Sequence, residues 1–533
     1  MSIDVTPSEV YHAAPEPEPQ AATADEVASR AAAARFAGRS DVVLHKNRWA
    51  LVNRTLTPHE AMVEDLLFVR EALDAAGIDY LLVRGNDARP VIAVDWALRK
   101  PLRAALAAAC RDEPFYSMTV DATGRRSLLV ADGRLAAGGK ARMFRLYRPR
   151  VEPNGGLFYG QGTGVQVELW RWEDGTIQLP IENSVTRRTL PVAEAVYGTV
   201  QRFGREWPTI ENMFADHATD IDFPIDIVFS WVDGNDPEFQ RYRASFMEKV
   251  VVGEGDDSEA RYRQINELKY ALRSVHMFAP WIRRIFICTD SPIPEWLDAA
   301  HPKITIVRAE DHFADPSVLP TFNSQAVESQ LQHIDGLSEH FLYSNDDMFF
   351  GRPLGPDMFF SPGGITKFIE ADTRIGLGDN HLDRSGFENA ARVNRKLLHD
   401  RFGRITTRHL EHTAAPLRRS VLLGMEREFA AEFAATAASR FRAKDNISVT
   451  NSLYHYFALL TGQAVTKVGA RVQYVDTTLR AGLASLERLL RKRNQDFFCL
   501  NDGSFPEVSA RERQAAVTDF LEKYFPVPAP WEK

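Results

Sequence analysis

Four apolar runs in the second half of the chain are each followed at once by acidic residues. Ile225–Phe229 leads into Ser230-Trp231-Val232-Asp233-Gly234-Asn235-Asp236-Pro237, and Ile285–Cys288 into Thr289-Asp290. Ile304–Val307 is followed by Glu310 and Asp311, and Phe341–Tyr343 by Ser344-Asn345-Asp346-Asp347. If these runs are parallel strands, their carboxyl ends share one edge, where open α/β sheets bind ligands. Carboxylates brought together repel unless a cation lies among them. Hard oxygen ligands suit Mg2+ or Mn2+, usually shared with substrate phosphates. Asp346-Asp347 owes its signal to its position directly behind a strand. Asp236 before a proline and Asp290 before Ser291-Pro292 read equally as turn formers, and Asp95 and Asp121 read as solvated surface carboxylates.

A metal-bound diphosphate also calls for positive charge. Between Arg374 and Ser420 there are ten Arg or Lys and five Asp or Glu. Arg392, Arg395 and Lys396 fall there on an expected helix, with Asn394 among them, and Arg442 and Lys444 precede another helix. Arginine suits bidentate phosphate contact, although most charges in such a stretch belong to a solvated face. Histidine is the natural proton acceptor near neutral pH. His412 lies in Glu411-His412-Thr413-Ala414-Ala415-Pro416, read as a loop between helices, whereas His455 in Leu453–Phe457 reads as a packed core histidine. On residue type alone, a catalytic and a structural role for His412 both stand. Asn266, Lys269 and Arg273 recur at helical spacing on a polar face, which is either solvated or lines the mouth of a site.

The elements that would position these groups follow from pattern. Val42–Leu44, Trp49–Val52 and Tyr80–Val83 read as strands, as do 127–130, 143–147 and 165–171; Pro58–Ala76 and Leu102–Cys110 read as helices. From residue 222 the runs named above alternate with helices expected over 262–278, Pro294–Ala299 and 324–333, which predicts a mostly parallel, doubly wound sheet. Helices over 386–402, 417–435, 447–461 and 481–493 form a cap over it, and one more spans 509–524. The expected organisation is a disordered tail over 1–38, an accessory α/β or α+β module over 39–220, a catalytic α/β domain over 221–505, and a C-terminal helix and tail over 506–533.

Composition bounds the function. The 533 residues include 64 Lys+Arg and 72 Asp+Glu, a net charge of −8, which argues against a general nucleic-acid binder. Three cysteines, Cys110, Cys288 and Cys499, make neither a disulfide framework nor a zinc motif, and suit a reducing compartment. No apolar run approaches the roughly 18 residues of a membrane-spanning helix, and the first residues lack a secretory pattern. These features predict a cytoplasmic protein, with peripheral attachment to the inner membrane face and self-association left open.

Four blocks resemble the Stealth proteins, the sugar-1-phosphate transferases of capsular and exopolysaccharide synthesis. They are IDIVFSWVDGNDP from Ile225, the stretch Arg261–Gly351 with NELKYALRSV, APWIRRIFICTD, LPTFNSQAVESQL and LSEHFLYSNDDMFFG, the stretch from His412 to about Gly462, and FCLND at Phe498–Asp502. The resemblance covers about half the chain and extends to the animal N-acetylglucosamine-1-phosphotransferase; length and N-terminal module look like the actinobacterial exopolysaccharide phosphotransferases. It implies a nucleotide-sugar transferase-like sheet and a UDP-sugar donor, UDP-N-acetylglucosamine or a related UDP-hexose. A hydroxyl of a growing glycan would attack the phosphorus attached to the sugar, and UMP would leave. It further implies Asp346, Asp347 and Asp502 at the cation, Mg2+ or Mn2+, and His412 as general base. Asp233 and Asn235 would touch nucleotide or metal, Arg392, Asn394 and Arg442 would hold phosphate, and Asn266, Lys269 and Arg273 would contribute to substrate binding. The competing readings are a metal-dependent glycosyltransferase that releases UDP, and a non-catalytic glycan-binding protein.

Overall fold

The computed structural model of the chain describes residues 31–120, 127–136, 140–154, 156–247, 264–503 and 506–533. The tail expected over 1–38 lies outside the described residues as far as residue 30, as do Asp121 and the start of the helix expected over 262–278; residues 31–36 are helical.

Strands of the first half join into an eight-stranded mixed sheet. Its long strand, Val165–Glu173, pairs parallel with Pro90–Asp95 and antiparallel with Met143–Tyr147. The helix Pro58–Ala75 begins at a capping box: Thr57 accepts from the Glu60 amide while the Glu60 carboxylate accepts from that of Thr57, and Pro58 pre-sets the first turn. Gly77, at φ +61°, ends it. Leu66, Val69 and Leu73 pack with Leu102 and Leu106 of the helix Arg99–Ala109 against Ile92, Val94 and Val167 of the sheet.

In the second half the apolar runs form strands Ile225–Ser230 (β1), Ile285–Cys288 (β2), Ile304–Val307 (β3) and His340–Asn345 (β4), ordered β3-β2-β1-β4 and all parallel. Helix Pro237–Met247 (α1) follows β1 and helix Glu267–Phe278 (α2) precedes β2. A further strand, Ala415–Arg418, closes the sheet beside β4 in antiparallel register, Leu342 opposite Pro416. Alternate residues feed two cores. Ile227, Phe229, Ile287 and Leu342 face one, while Val228, Phe286, Phe341 and Tyr343 face the other. Covering both faces is what near-continuous apolar strands require, at roughly 1.5–3 kcal/mol per large side chain buried. Leu268, Leu272 and Val275 of α2 cover the first face. Leu398 of helix Gly386–Phe402 (α3), Val421 and Leu422 of Arg419–Glu428, Phe433 of Ala430–Ala437 and Phe457 of Tyr454–Leu460 cover the second. This is the doubly wound, mostly parallel sheet with a helical cap that the pattern predicts.

A smaller sheet sits against this edge. Met348–Phe350 (β5) follows β4 after the two-residue turn Asp346-Asp347 and pairs antiparallel with Phe497–Asn501 (β6), which pairs parallel with Val472–Asp476. Cys499 is thereby placed opposite Met348 on one side and Tyr474 on the other. The C-terminal helix Ala510–Tyr524 (α4) and the tail after it deliver Val517, Phe520, Tyr524, Phe525 and Trp531 into the first core, which Ala61, Leu157 and Tyr159 of the first half also enter.

Five expected elements differ. The helix expected over 324–333 stops after Ser324–Glu328, with a separate 3-10 turn over Leu331–His333. Asn266 takes a left-handed conformation, φ 60°, so α2 starts only at Glu267 and Asn266 lies before it rather than on its polar face. Pro294–Ala299 is not helical, because Leu297 forms a β-bridge with Glu532 of the tail. The helix expected over 417–435 gives up its first residues to the strand Ala415–Arg418 and divides at Phe429. His412 consequently lies between two strands, Arg408–Leu410 and Ala415–Arg418, not between helices. The helix over 447–461 opens with a π-helical stretch, Val449–Leu453.

Candidate active site

The carboxyl ends of β1, β2 and β4 open into a cavity of about 940 Å³, with Ser230, Asp290, Asp346 and Asp347 on its wall. Leu500, Asn501 and Asp502 reach it from the end of β6, and Arg442 and Arg513 supply positive charge. One flank is aromatic, with Phe239 and Tyr242 of α1 beside Phe322 and Phe441.

The turn that links β4 to β5 fixes the two adjacent carboxylates. Gln264 Nε2 donates to Asp346 Oδ2 at 3.1 Å, and Cys499 Sγ donates to Asp347 Oδ2 at 3.4 Å. Asp347 Oδ1, shut off from solvent, has no hydrogen-bond partner among the described residues. Burial raises the Asp346 carboxyl to about 6, and burial together with Asp346 raises that of Asp347 to about 7. Glu267, at the first turn of α2, is pushed to about 7 by burial and by Asp346. Three carboxylates therefore share a poorly solvated corner and resist ionising together.

Arg513 of α4 offsets part of that charge. It pairs with Asp502 at 2.5 Å, donates to Thr477 Oγ1 at 2.7 Å, and reaches Glu267 at 4.0 Å. Its site-facing position was not legible in the sequence, where α4 reads only as a C-terminal helix; the Glu267 contact comes from a segment far away in the chain.

His412 joins the cluster from the other side. Its Nδ1 lies 4.0 Å from Cys499 Sγ, and its ring meets Tyr474 edge-on at 5.2 Å. Burial, then His409, lowers its pKa, which keeps the imidazole neutral near pH 7 and able to accept a proton. Asn501 Nδ2 donates to the Tyr474 hydroxyl, which ties the end of β6 to the same ring. Cys499, Tyr474 and Gln264 were not singled out for chemistry by sequence, because a cysteine, tyrosine or glutamine within an apolar or helical run carries no signal of its own.

The remaining expected residues divide. Arg442 lines the cavity and donates to Ser324 Oγ at 2.9 Å. Asp233, Asn235 and Asn266 line an adjoining cavity of about 430 Å³ whose wall shares Trp231 and Gln264 with the first. There the Asp233 carboxylate accepts from the Asn235 amide at 3.0 Å, and Asn235 Nδ2 donates to the Gln264 carbonyl at 3.0 Å. Lys269, Arg273, Arg392 and Asn394 line neither cavity. Arg273 makes two bonds of 2.7 Å to the Glu532 carboxylate, with Lys269 at 3.4 Å from it. Arg392 donates to the Glu388 carbonyl at 2.8 Å within α3, and Asn394 is buried in a reciprocal pair with the Ser448 backbone at 2.8 and 3.3 Å. Asp290 and Asp311 serve their helix: Asp290 accepts from the Ala309 amide at 2.9 Å and Asp311 from that of Arg308 at 3.0 Å.

Among the described residues, no three His, Cys, Asp or Glu side chains are gathered as a preformed metal cage. The donor set still fits a hard cation of the kind held by one or two carboxylates and completed by substrate phosphates. Asp347 Oδ1 is unpartnered, and the repulsion between Asp346 and Asp347 is what such a cation would relieve. Asp502 is engaged by Arg513, so it would ligate only in competition with a guanidinium.

Comparison with known proteins places these residues in shared segments. Family models for the Stealth protein conserved regions match in chain order: region 1 over 223–251, region 2 over 261–368, region 3 over 411–459 and region 4 over 487–533. Asp346 and Asp347 fall in region 2, His412 and Arg442 in region 3, and Cys499, Asp502 and Arg513 in region 4. The exopolysaccharide phosphotransferase CpsY of Mycobacterium tuberculosis (strain CDC 1551 / Oshkosh) is 61% identical over 92% of each chain. The exopolysaccharide phosphotransferase of Nocardia farcinica (strain IFM 10152) is 57% identical over 90% of this chain and 88% of its own. The solved galactosyltransferase LgtC, in complex with donor and acceptor sugar analogs, aligns with 57% of this chain and 96% of its own at 14% identity and a TM-score of 0.28, too slight a likeness to argue from.

Proposed function

The chain belongs to the Stealth family of exopolysaccharide phosphotransferases, and from that premise we propose that it transfers a sugar-1-phosphate from a UDP-sugar to a glycan hydroxyl. The observation that carries the reading is that Asp347, on the cavity wall behind β4, and His412, which itself lines neither cavity, converge on the same buried thiol, Cys499. A charged diphosphate needs a cation and a positive side chain, an attacking hydroxyl needs a base, and the two requirements meet there.

The acceptor hydroxyl forms a bond to the phosphorus that carries the sugar, the bond from that phosphorus to the bridging diphosphate oxygen breaks, and UMP leaves. His412, neutral and partly buried, takes the hydroxyl proton. Arg442 holds the donor phosphates on the cavity wall, with Asp233 and Asn235 in the adjoining cavity beside the nucleotide. A Mg2+ or Mn2+ ion at Asp346 and Asp347 would, when bound, spread the charge of the diphosphate, the main aid that phosphoryl transfer draws from a protein site.

Screening UDP-sugars with Mg2+ and short glycan acceptors, read by phosphorus NMR, tests the reaction. A new phosphodiester with UMP is expected; released UDP would replace the proposal with sugar transfer. His412→Ala is expected to slow transfer by roughly 10²–10⁴-fold, and an unchanged rate would remove His412 from the role of base.

A further inference from the structure

Cys499 is fully buried in the middle of β6, and its sulfur contacts both Asp347 and His412. The three residues come from three places: the β4–β5 turn, the loop before Ala415–Arg418, and β6. Their meeting is therefore a product of the fold rather than of a local motif.

We propose that Cys499 is a positioning residue of the transfer reaction: its thiol donates to Asp347 Oδ2 and its lone pair accepts from His412 Nδ1–H, so that His412 presents an unprotonated Nε2 to the acceptor. The inference rests on the reading of His412 as base given above. The donor inventory dictates the direction. Cys499 Sγ donates to Asp347 Oδ2 at 3.4 Å, and a thiol carries only one hydrogen, so that hydrogen is committed to the Asp347 side. Toward His412 the sulfur then has only lone pairs, and a neutral imidazole that faces it must place its hydrogen on Nδ1. The tautomer of a histidine is set by the hydrogen bond of its other nitrogen, here by sulfur in the place where a carboxylate or backbone carbonyl is usual.

One further feature agrees. Tyr474, edge-on to the imidazole at 5.2 Å and bonded through its hydroxyl to Asn501, limits how far the ring can swing away. The same thiol that faces His412 occupies Asp347 Oδ2, while Oδ1 has no hydrogen-bond partner among the described residues. One thiol thus sets the geometry of the phosphate side and of the acceptor side together.

The test compares Cys499→Ala, Cys499→Ser and His412→Ala in the full chain, with the UDP-sugar and acceptor pair that yields UMP in the phosphorus NMR screen. Cys499→Ala is expected to lower kcat about 10–100-fold, the cost typical of losing an orienting partner, with KM for the donor changed less than about twofold. Cys499→Ser, which keeps one donor and the lone pairs, is expected to recover most of that loss. Solid-state 15N spectra of histidine-labelled wild-type protein, with His412 assigned by its absence in His412→Ala, should show Nδ1 protonated and Nε2 bare at pH 7. This readout needs neither turnover nor a stable cysteine variant. A full rate in Cys499→Ala beside an inactive His412→Ala overturns the relay and spares the proposed base. A bare Nδ1 in wild type does the same. A full rate in His412→Ala overturns the base, and the relay with it.

Discussion

Asp347 is at once the most useful and the most costly side chain of the site. Burial and Asp346 raise its carboxyl to about 7, against the ordinary 3.8. A carboxyl raised on folding binds its proton more tightly in the native chain. Its stabilising effect is complete below the unfolded value near about 4 and is lost as pH climbs through about 7. In chelator, the chain should therefore lose stability between those limits. Asp347→Asn should flatten that loss, and gain on the order of 1–3 kcal/mol at pH 8 while abolishing turnover. Saturating Mg2+ should restore the wild type and leave the variant unmoved. Denaturant titrations across pH, with and without Mg2+, decide it: parallel wild-type and variant slopes would show that Asp347 is no strained ligand. The position of Asp346 and Asp347 at the sheet edge was legible from the apolar run before them, and that of Arg442 from local charge, whereas Asp502 and the choice of His412 came from the family resemblance. Arg273 and Asn394 show the limit. Their residue types suit a substrate, but Arg273 meets Glu532 from 259 residues away and Asn394 meets Ser448 from 54, and no local spacing reports such partners.

At the level of elements, the parallel strands were readable because apolar runs buried on both faces are unmistakable, and the errors cluster where a short segment answers to a distant one. Ala415–Arg418 holds Pro416, which argues against a strand in a sheet centre but is tolerated at an edge, where one side of the backbone goes unpaired; it is the edge beside β4. Pro294–Ala299 has helical composition, yet it is held as turns by the Leu297 bridge to Glu532. The same Glu532 anchors α2 through Arg273 and Lys269. That contact predicts a division between stability and catalysis. Arg273→Ala strips a mostly buried carboxylate of its bidentate partner and should cost roughly 2–4 kcal/mol, measured by denaturant unfolding. KM for the donor should stay within about twofold, since Arg273 lines neither cavity. A raised KM at unaltered stability would return Arg273 to the substrate.

Across the whole molecule, chemistry and support are unevenly shared. The described lining of both cavities comes entirely from residues after 229. The first half nonetheless sends Ala61, Leu157 and Tyr159 into the core that carries α2 and α4, and the Tyr159 hydroxyl donates back to the Leu56 carbonyl at 3.0 Å. The C-terminal helix belongs to the same core, and its Arg513 reaches the site itself. A boundary at residue 505 would thus cut through the active centre, and a chain ending there should lose both cooperative unfolding and turnover. The junction between halves behaves differently. Ala218 and Thr219 lie in an exposed segment, so a protease site inserted between them can be cut in the folded protein. Because apolar burial rather than the single covalent link holds the halves together, the nicked fragments should co-elute on size exclusion and retain the rate of the intact enzyme. If they separate and the later fragment works alone, the shared core is dispensable to the site. If they stay together but turnover is lost, the link itself strains or aligns the sheet, and the division of labour drawn from the cavity walls would be wrong.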